Sequence, residues 1–204
     1  MVADALLACG RQVLGFVDSR TGGQPSVLMG LPVLGDDATL RDHDPDAIEL
    51  ANGIGGAGHP SLVRDGTLRR RVQERLEAQG FSFTSVRHPA AVVSPHATLS
   101  SGSQVLAGAV VQPGAHVGRG AIVNTRAVVE HHCHVGDYAH IAPGAVLCGD
   151  VVVGEQTHVG AGATVRNGLR LGAGIVVGMG AVVTRSVDAG VVVGVPARSV
   201  GEQT

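Results

Sequence analysis

From Val93 to Val183 an aliphatic residue returns at every sixth position, sixteen times in succession and without one insertion. The series runs Val93, Leu99, Val105, Val111, Val117 and onward through Leu171, Val177 and Val183. Two residues before most of these stands a small side chain: Ala91, Ala97, Ser103, Ala109, Ala115, Ala121, Ala127, Cys133, Ala139, Ala145. Residues i and i+2 of a strand face the same side, so both members of each pair point inward. The intervening positions are rich in Gly, Pro and Asn, which turn corners. Three hexads then make one triangular coil of eighteen residues. Coils stack at the strand spacing of about 4.8 Å, and sixteen hexads give a parallel β-helix of about five coils, roughly 24 Å long.

Composition fits so narrow an interior. The chain holds three Phe, one Tyr and no Trp among 204 residues, with 31 Gly. Rings that usually supply much of a core's buried area would not fit the axis of such a prism. Hydrophobic residues at 44% and charged residues at 16% still allow a sizeable core and argue against disorder.

Residues 1–87 follow a different pattern and are expected to form a small α/β, Rossmann-like domain; residues 88–204 form the β-helix. "QVLGFVDS" (12–19) and "AIELANGIGG" (47–56) read as strands, the first ending at Asp18 and the second entering the Gly53-Ile54-Gly55 loop. Asp65 or Thr67 is the expected cap of a helix through Gln79, with Leu68, Val72 and Leu76 on its apolar face and Gly80 as its stop. "FSFTSVRHP" (81–89) is a strand leading into the prism, and the alternation of elements suggests a parallel sheet. "MVADALLACG" reads as the body of a helix. The leading strand and Gly-rich turn that normally precede such a helix do not occur in the sequence, so the domain is expected to lack its first strand.

The formal net charge is −2 and the basic residues form no stripe, which removes the electrostatic basis for nucleic-acid binding. No apolar run of about twenty residues exists to span a bilayer. Residues 1–17 lack a basic n-region and carry Asp4, unlike a secretory signal. Three cysteines, none in a CxxC pair, suit a reduced, cytoplasmic setting.

Four of the ten histidines fall within "EHHCHVGDYAHIAPGAVLCGD" (130–150). On an eighteen-residue coil His131 lies directly under Gly149, His140 under His158, and His116 under His134. His131 takes a corner, whereas His134, His140 and His158 point outward. His116 and His158 read as solvated surface residues, and Cys133 as a small core residue. A zinc site needs three converging ligands about 2 Å from one ion. A metal-dependent hydratase of the γ-carbonic-anhydrase kind shares only the architecture, its paired histidines being absent here, and no metal is expected.

"HPAAVVSPHA" (88–97), "NTRAVVEHHCHVGDYAHIAPGA" (124–145) and "GVPAR" (194–198) together resemble the NeuD/PglD-type sugar acetyltransferases. The resemblance implies a left-handed β-helix, a handedness against the usual right-handed crossover. It implies a homotrimer with active sites between adjacent subunits, and acetyl-CoA as acyl donor. The acceptor would be an amino sugar, nucleotide-linked and bearing a 4-amino group, in surface glycan synthesis; the sialic acid O-acetyltransferases are the neighbouring alternative. By this resemblance His131 is the general base, a role an imidazole suits near neutral pH. Gly149 supplies the oxyanion N–H, with His140 from a neighbouring subunit near the acetyl group and Asn124 lining the cleft. The coenzyme arm would meet Ala161 and Met179, with Arg198 facing a phosphate. Asp18, Gly53 and Gly55 would remain of the sugar-nucleotide pocket. The family usually places an acid after the base; here that residue is His132, leaving Glu130 and Asp137 as other candidates to orient the ring.

Overall fold

The computed structural model describes residues 1–18, 26–55 and 66–199. The hexad ruler becomes sixteen two-residue strands, from Val92–Val93 to Val182–Val183, and each repeats six residues after the last. They pair in parallel with a register shift of eighteen, Val111 beside Val129 and Ile141 beside Val159. The inward aliphatics and small residues form one continuous core from Ala91 to Val192, most of it fully buried. Each fully buried valine contributes about 1.5–3 kcal/mol, and the stack repeats that contribution level by level. Cys133 is a core residue as expected, 1% exposed.

The prism has three faces. A valine face carries Val92, Val110, Val128, Val146, Thr164 and Val182 outward. An open face carries Thr98, His116, His134, Val152 and Arg170. A covered face carries Gln104, Ile122, His140, His158 and Val176. At every corner from Gly102 to Gly180 one residue adopts a left-handed conformation. Glycine usually fills it, as at Gly114, Gly144 and Gly162, but Arg126, His132, Tyr138, Asp150 and Gln156 also stand at such corners.

The N-terminal domain departs from a single parallel sheet. β1 (Phe16–Val17) pairs in parallel with β3 (Leu31–Gly35), and β2 (Ser26–Leu28) joins β3 as an antiparallel hairpin. β4 (Glu49–Leu50) pairs in parallel with β5 (Ser82–Phe83) in a separate two-stranded sheet. The turn at Met29-Gly30, both with positive φ, is a hairpin signal that the sequence reading passed over. The strand expected over 81–89 is two: β5, then β6 (Val86–Arg87), which already pairs with Gln104–Val105 as the first rung on the covered face. α1 (Val2–Ala8) is the helix expected at the start and buries Ala3 and Ala5.

α2 spans Gly66–Glu77, so Thr67 lies inside the helix and is not its cap; Asp65 lies outside the described residues. Its expected apolar face is also corrected. Leu76 is buried and Val72 packs beside it against Leu40, Phe81 and Phe83, but Leu68 is exposed. The face turned to the prism is polar: Arg69 and Gln73 are buried there. A Cβ on Gly102 would come within 2.7 Å of the Gln73 amide, so that corner needs glycine for the helix to dock; one on Gly120 would come within 2.6 Å of the Tyr138 ring, which lies over that corner. Arg119 pairs with Glu77 and Arg70 with Glu155 across the same seam.

Candidate active site

The corner between the valine face and the open face brings His131 and Gly149 together. A Cβ built on Gly149 would lie 2.4 Å from His131 Cε1 and 2.5 Å from Nε2. The imidazole therefore packs against the bare Cα one coil above, in the space that a side chain would fill. Gly149 is buried beneath that ring, while His131 itself is exposed on the single chain. Among the described residues, no acceptor takes the Gly149 N–H, although the neighbouring Cys148 and Asp150 amides donate to Val165 O and His131 O. A donor without a partner beside an imidazole can serve an incoming oxyanion.

His131 Nδ1 lies 3.1 Å from His132 Nδ1. The ring is thus held by His132, not by Asp137, whose carboxylate accepts from the Arg119 N–H at a different corner. Asp150 completes a trio in which one donor atom from each of His131, His132 and Asp150 lies within 4.8 Å of the others. Residue type alone gave no reason to join Asp150 to this site; the eighteen-residue spacing from His132 was the available signal.

Asn124 and His140 meet at the edge of the covered face, with Asn124 Nδ2 3.0 Å from His140 Nε2. Asn124 Oδ1 accepts from the Thr125 N–H at 2.7 Å, which fixes the amide orientation and makes Nε2 the acceptor. The His140 proton therefore sits on Nδ1, which is buried and without a partner among the described residues. Burial first, and then the neighbouring His158 and Arg69, push the His140 imidazole down to about 3. His158 is lowered for the same leading reason, with Arg69 next. The expectation that His158 is a solvated surface residue is thus corrected: it points out of the prism, but the N-terminal domain covers it. His116 is half-buried and stacks on His134 with ring centroids 4.8 Å apart.

Sequence reasoning missed Arg69. One Nη donates to the Tyr138 carbonyl and, at 3.4 Å, to that of Ala139, the two residues before His140. The Arg69 carbonyl accepts from Asn52 Nδ2, and Asn52 Oδ1 accepts from the Ile54 N–H, folding the start of the Gly53–Gly55 loop. Gln104 Nε2 donates to Asn52 O at 2.6 Å. Burial lowers the guanidinium to about 10, so it remains a cation. The Gly53–Gly55 loop is therefore tied to the backbone that carries His140.

Ala161 and Met179 stack in one column at the other corner bordering the valine face, and Gly180 N–H donates to Ala161 O. Both are exposed, Met179 at 83%. Their own amides, like that of Gly149, find no acceptor among the described residues. Arg198 is exposed on the terminal hairpin that pairs Val192 with Ser199. Asp18 is half-buried at the end of β1, its N–H donating to Gly35 O, on a different sheet from the strand that feeds Gly53 and Gly55. His131 and Gly149 thus occupy one edge of the valine face, and Ala161 and Met179 the opposite edge.

The bacterial transferase hexapeptide (six repeats) family matches residues 114–149. No curated protein sequence matches the chain. Among solved structures, the acetyltransferase domain of PglB from Neisseria gonorrhoeae, in complex with acetyl coenzyme A, is 36% identical. That match covers 98% of this chain and 92% of the other, with a TM-score of 0.88. PerB from Caulobacter crescentus, in complex with CoA and GDP-perosamine, is also 36% identical over 98% and 91%, with a TM-score of 0.86. WeeI from Acinetobacter baumannii is 28% identical over 90% and 84%, with a TM-score of 0.72. With this sequence identity over nearly its whole length, and with the same prism, the chain belongs to the NeuD/PglD-type sugar acetyltransferases, enzymes built on a left-handed β-helix.

Proposed function

We propose that the protein transfers the acetyl group of acetyl-CoA to the amine of a nucleotide-linked 4-amino sugar in surface glycan synthesis. The observation that carries this reading is the His131 imidazole packed against Gly149, whose N–H finds no acceptor among the described residues. The relatives solved with acetyl coenzyme A and with GDP-perosamine, a nucleotide-linked amino sugar, support the donor and acceptor classes.

In this reading the neutral sugar amine attacks the thioester carbonyl while His131 Nε2 takes its proton. The carbonyl oxygen becomes an oxyanion and accepts from the Gly149 N–H, a contribution of about 3 kcal/mol to the barrier. The C–N bond forms, the C–S bond breaks, and the proton passes from Nε2 to the departing thiolate. No covalent acyl-enzyme is required. Neutral His140, held by Asn124, contributes an uncharged wall to the acetyl pocket. The N–H groups of Ala161 and Met179, without an acceptor among the described residues, bond the coenzyme arm, and Arg198 meets a phosphate.

The assembly is a homotrimer. The valine face presents a half-buried to exposed apolar ladder of Val92, Val110, Val128, Val146 and Val182, suited to burial against another copy. Its two edges carry the base and the coenzyme contacts separately, so adjacent copies would join one edge of each into a complete cleft. Asp18, Gly53 and Gly55 are proposed as acceptor contacts, with Asn52 and Arg69 relating their loop to His140. No helix among the described residues is long and apolar enough to cross a membrane, and a cytoplasmic location fits enzymes that use acetyl-CoA.

The test is release of free CoA thiol with UDP-, GDP- and dTDP-linked 4-amino sugars as acceptors. The parent chain turns over one of them, and His131→Ala loses about two to four powers of ten in rate with the trimer intact. Equal turnover by His131→Ala overturns the assignment of the base.

A further inference from the structure

The corner column holding residues 114, 132, 150 and 168 is left-handed at every level, with φ of 74° at Gly114, 57° at His132, 59° at Asp150 and 69° at Gly168. Residues with a side chain seldom adopt this conformation. Here two of them do so on the two consecutive levels that hold His131 and Gly149, with glycine below and above. Neither side chain adds to the prism core, and both are exposed.

Their placement is specific. The His132 ring fits because Gly114 has no side chain; a Cβ there would lie 2.8 Å from His132 Cδ2. The two imidazoles meet edge to face, at 77° between planes, with their Nδ1 atoms 3.1 Å apart. Two ring nitrogens at that distance share one hydrogen, so one donates and the other accepts. The Asp150 carboxylate, one coil above His132, has an oxygen within 4.8 Å of a nitrogen of each ring.

We propose that His132 and Asp150 are a positioning pair for His131, His132 fixing the ring and Asp150 supplying the negative charge. This rests on the reading of His131 as the base. His131 Nδ1–H donates to the His132 Nδ1 lone pair, which leaves the His131 Nε2 lone pair directed past Gly149 at the acceptor amine. When Nε2 takes the amine proton, His131 becomes an imidazolium, and the Asp150 carboxylate offsets that charge until the proton leaves with the CoA thiolate. No atom of His132 or Asp150 bonds to substrate. The acid that orients the base thus comes from the next coil, through a second imidazole.

Glycine already serves this column, so His132→Gly and Asp150→Gly remove each side chain without straining the turn. The experiment measures kcat, the KM for acetyl-CoA and the melting temperature for His131→Ala, His132→Gly, His132→Glu and Asp150→Gly. His132→Gly should melt no lower than the parent yet lose roughly 100-fold in kcat, with KM for acetyl-CoA within about two-fold. His132→Glu, which restores an acceptor for Nδ1–H, should recover most of that loss. Asp150→Gly should lose about ten-fold in kcat with the same unchanged KM. If His131→Ala is inactive while His132→Gly and Asp150→Gly keep the parent kcat, the positioning pair is overturned and the base stands. A His132→Glu no better than His132→Gly also overturns it. Turnover that requires a divalent cation and is lost to a chelator overturns it too, since the trio would then be ligands. If His131→Ala is active, the base and its pair fall together.

Discussion

The His131 ring occupies the space that a Cβ of residue 149 would need, 2.4 Å from its Cε1. Gly149 carries no positive φ, so its backbone would accept an alanine; the imidazole would not. Gly149→Ala should therefore fold and melt like the parent while displacing the His131 ring from its place against residue 149. A shift near 1 Å is expected to cost on the order of 100-fold in kcat. Thiol release and a thermal melt on the same preparation check both halves.

His140 and His158 are held neutral by burial, His140 down to about 3. Their folded-state values lie below the ordinary 6.5, so between about pH 3 and 6.5 the unfolded chain binds more protons than the native one. Stability is complete above pH 6.5 and is lost as pH falls toward the folded values, with a slope of up to about 1.4 kcal/mol per pH unit for each histidine. Melting temperatures from pH 7 to pH 4.5 should fall for the parent and fall less for His158→Gln. His140, neutral throughout, should leave no limb in the rate profile between pH 5 and 8.

Arg69 ties α2 to the carbonyls just ahead of His140 while its own carbonyl holds Asn52. Arg69→Met keeps much of the volume and removes the donors. It should destabilise the fold by about 2 kcal/mol and raise the KM for the acceptor more than that for acetyl-CoA. Denaturant titration and two-substrate kinetics measure the two effects.

Val128 sits mid-ladder on the valine face, between Val110 and Val146. A charge there would have to be stripped of water wherever two copies meet. Val128→Arg is expected to shift sedimentation from trimer to monomer and to abolish turnover, because the proposed base and the proposed coenzyme contacts lie on opposite edges of the face. The secondary structure by circular dichroism should be unchanged.

The β-helix was legible because its rule repeats. A slip of one residue would turn every inward valine outward, so Val93 through Val183 fix the register together, and the His131–Gly149 contact follows by adding eighteen. The N-terminal domain has no such redundancy. Leu68, Val72 and Leu76 invited an apolar reading of α2, yet the face buried on the prism is Arg69 and Gln73; Arg69 donates to the Tyr138 and Ala139 carbonyls, which only the fold brings near, and Gln73 Nε2 to the Glu77 carboxylate. His158 was misread for the same reason: its outward direction was right, and the layer covering it lay far away in sequence. His132 was visible as a departure from the family pattern, whereas Asp150 joins it only through the eighteen-residue spacing that stacks one above the other.

The fixed period of the coil also sets which length changes this chain could survive in evolution. Gaining or losing eighteen residues slides the catalytic corner up or down the column by one storey and keeps it on the same side. Gaining or losing six swings everything beyond that point through a third of a revolution, so the His131 corner would face another direction even though every rung still paired. Length variation below the His131 corner should therefore come in whole turns, while the stretch from His131 through Met179, whose spacing sets Gly149 over His131 and Met179 over Ala161, should keep its length.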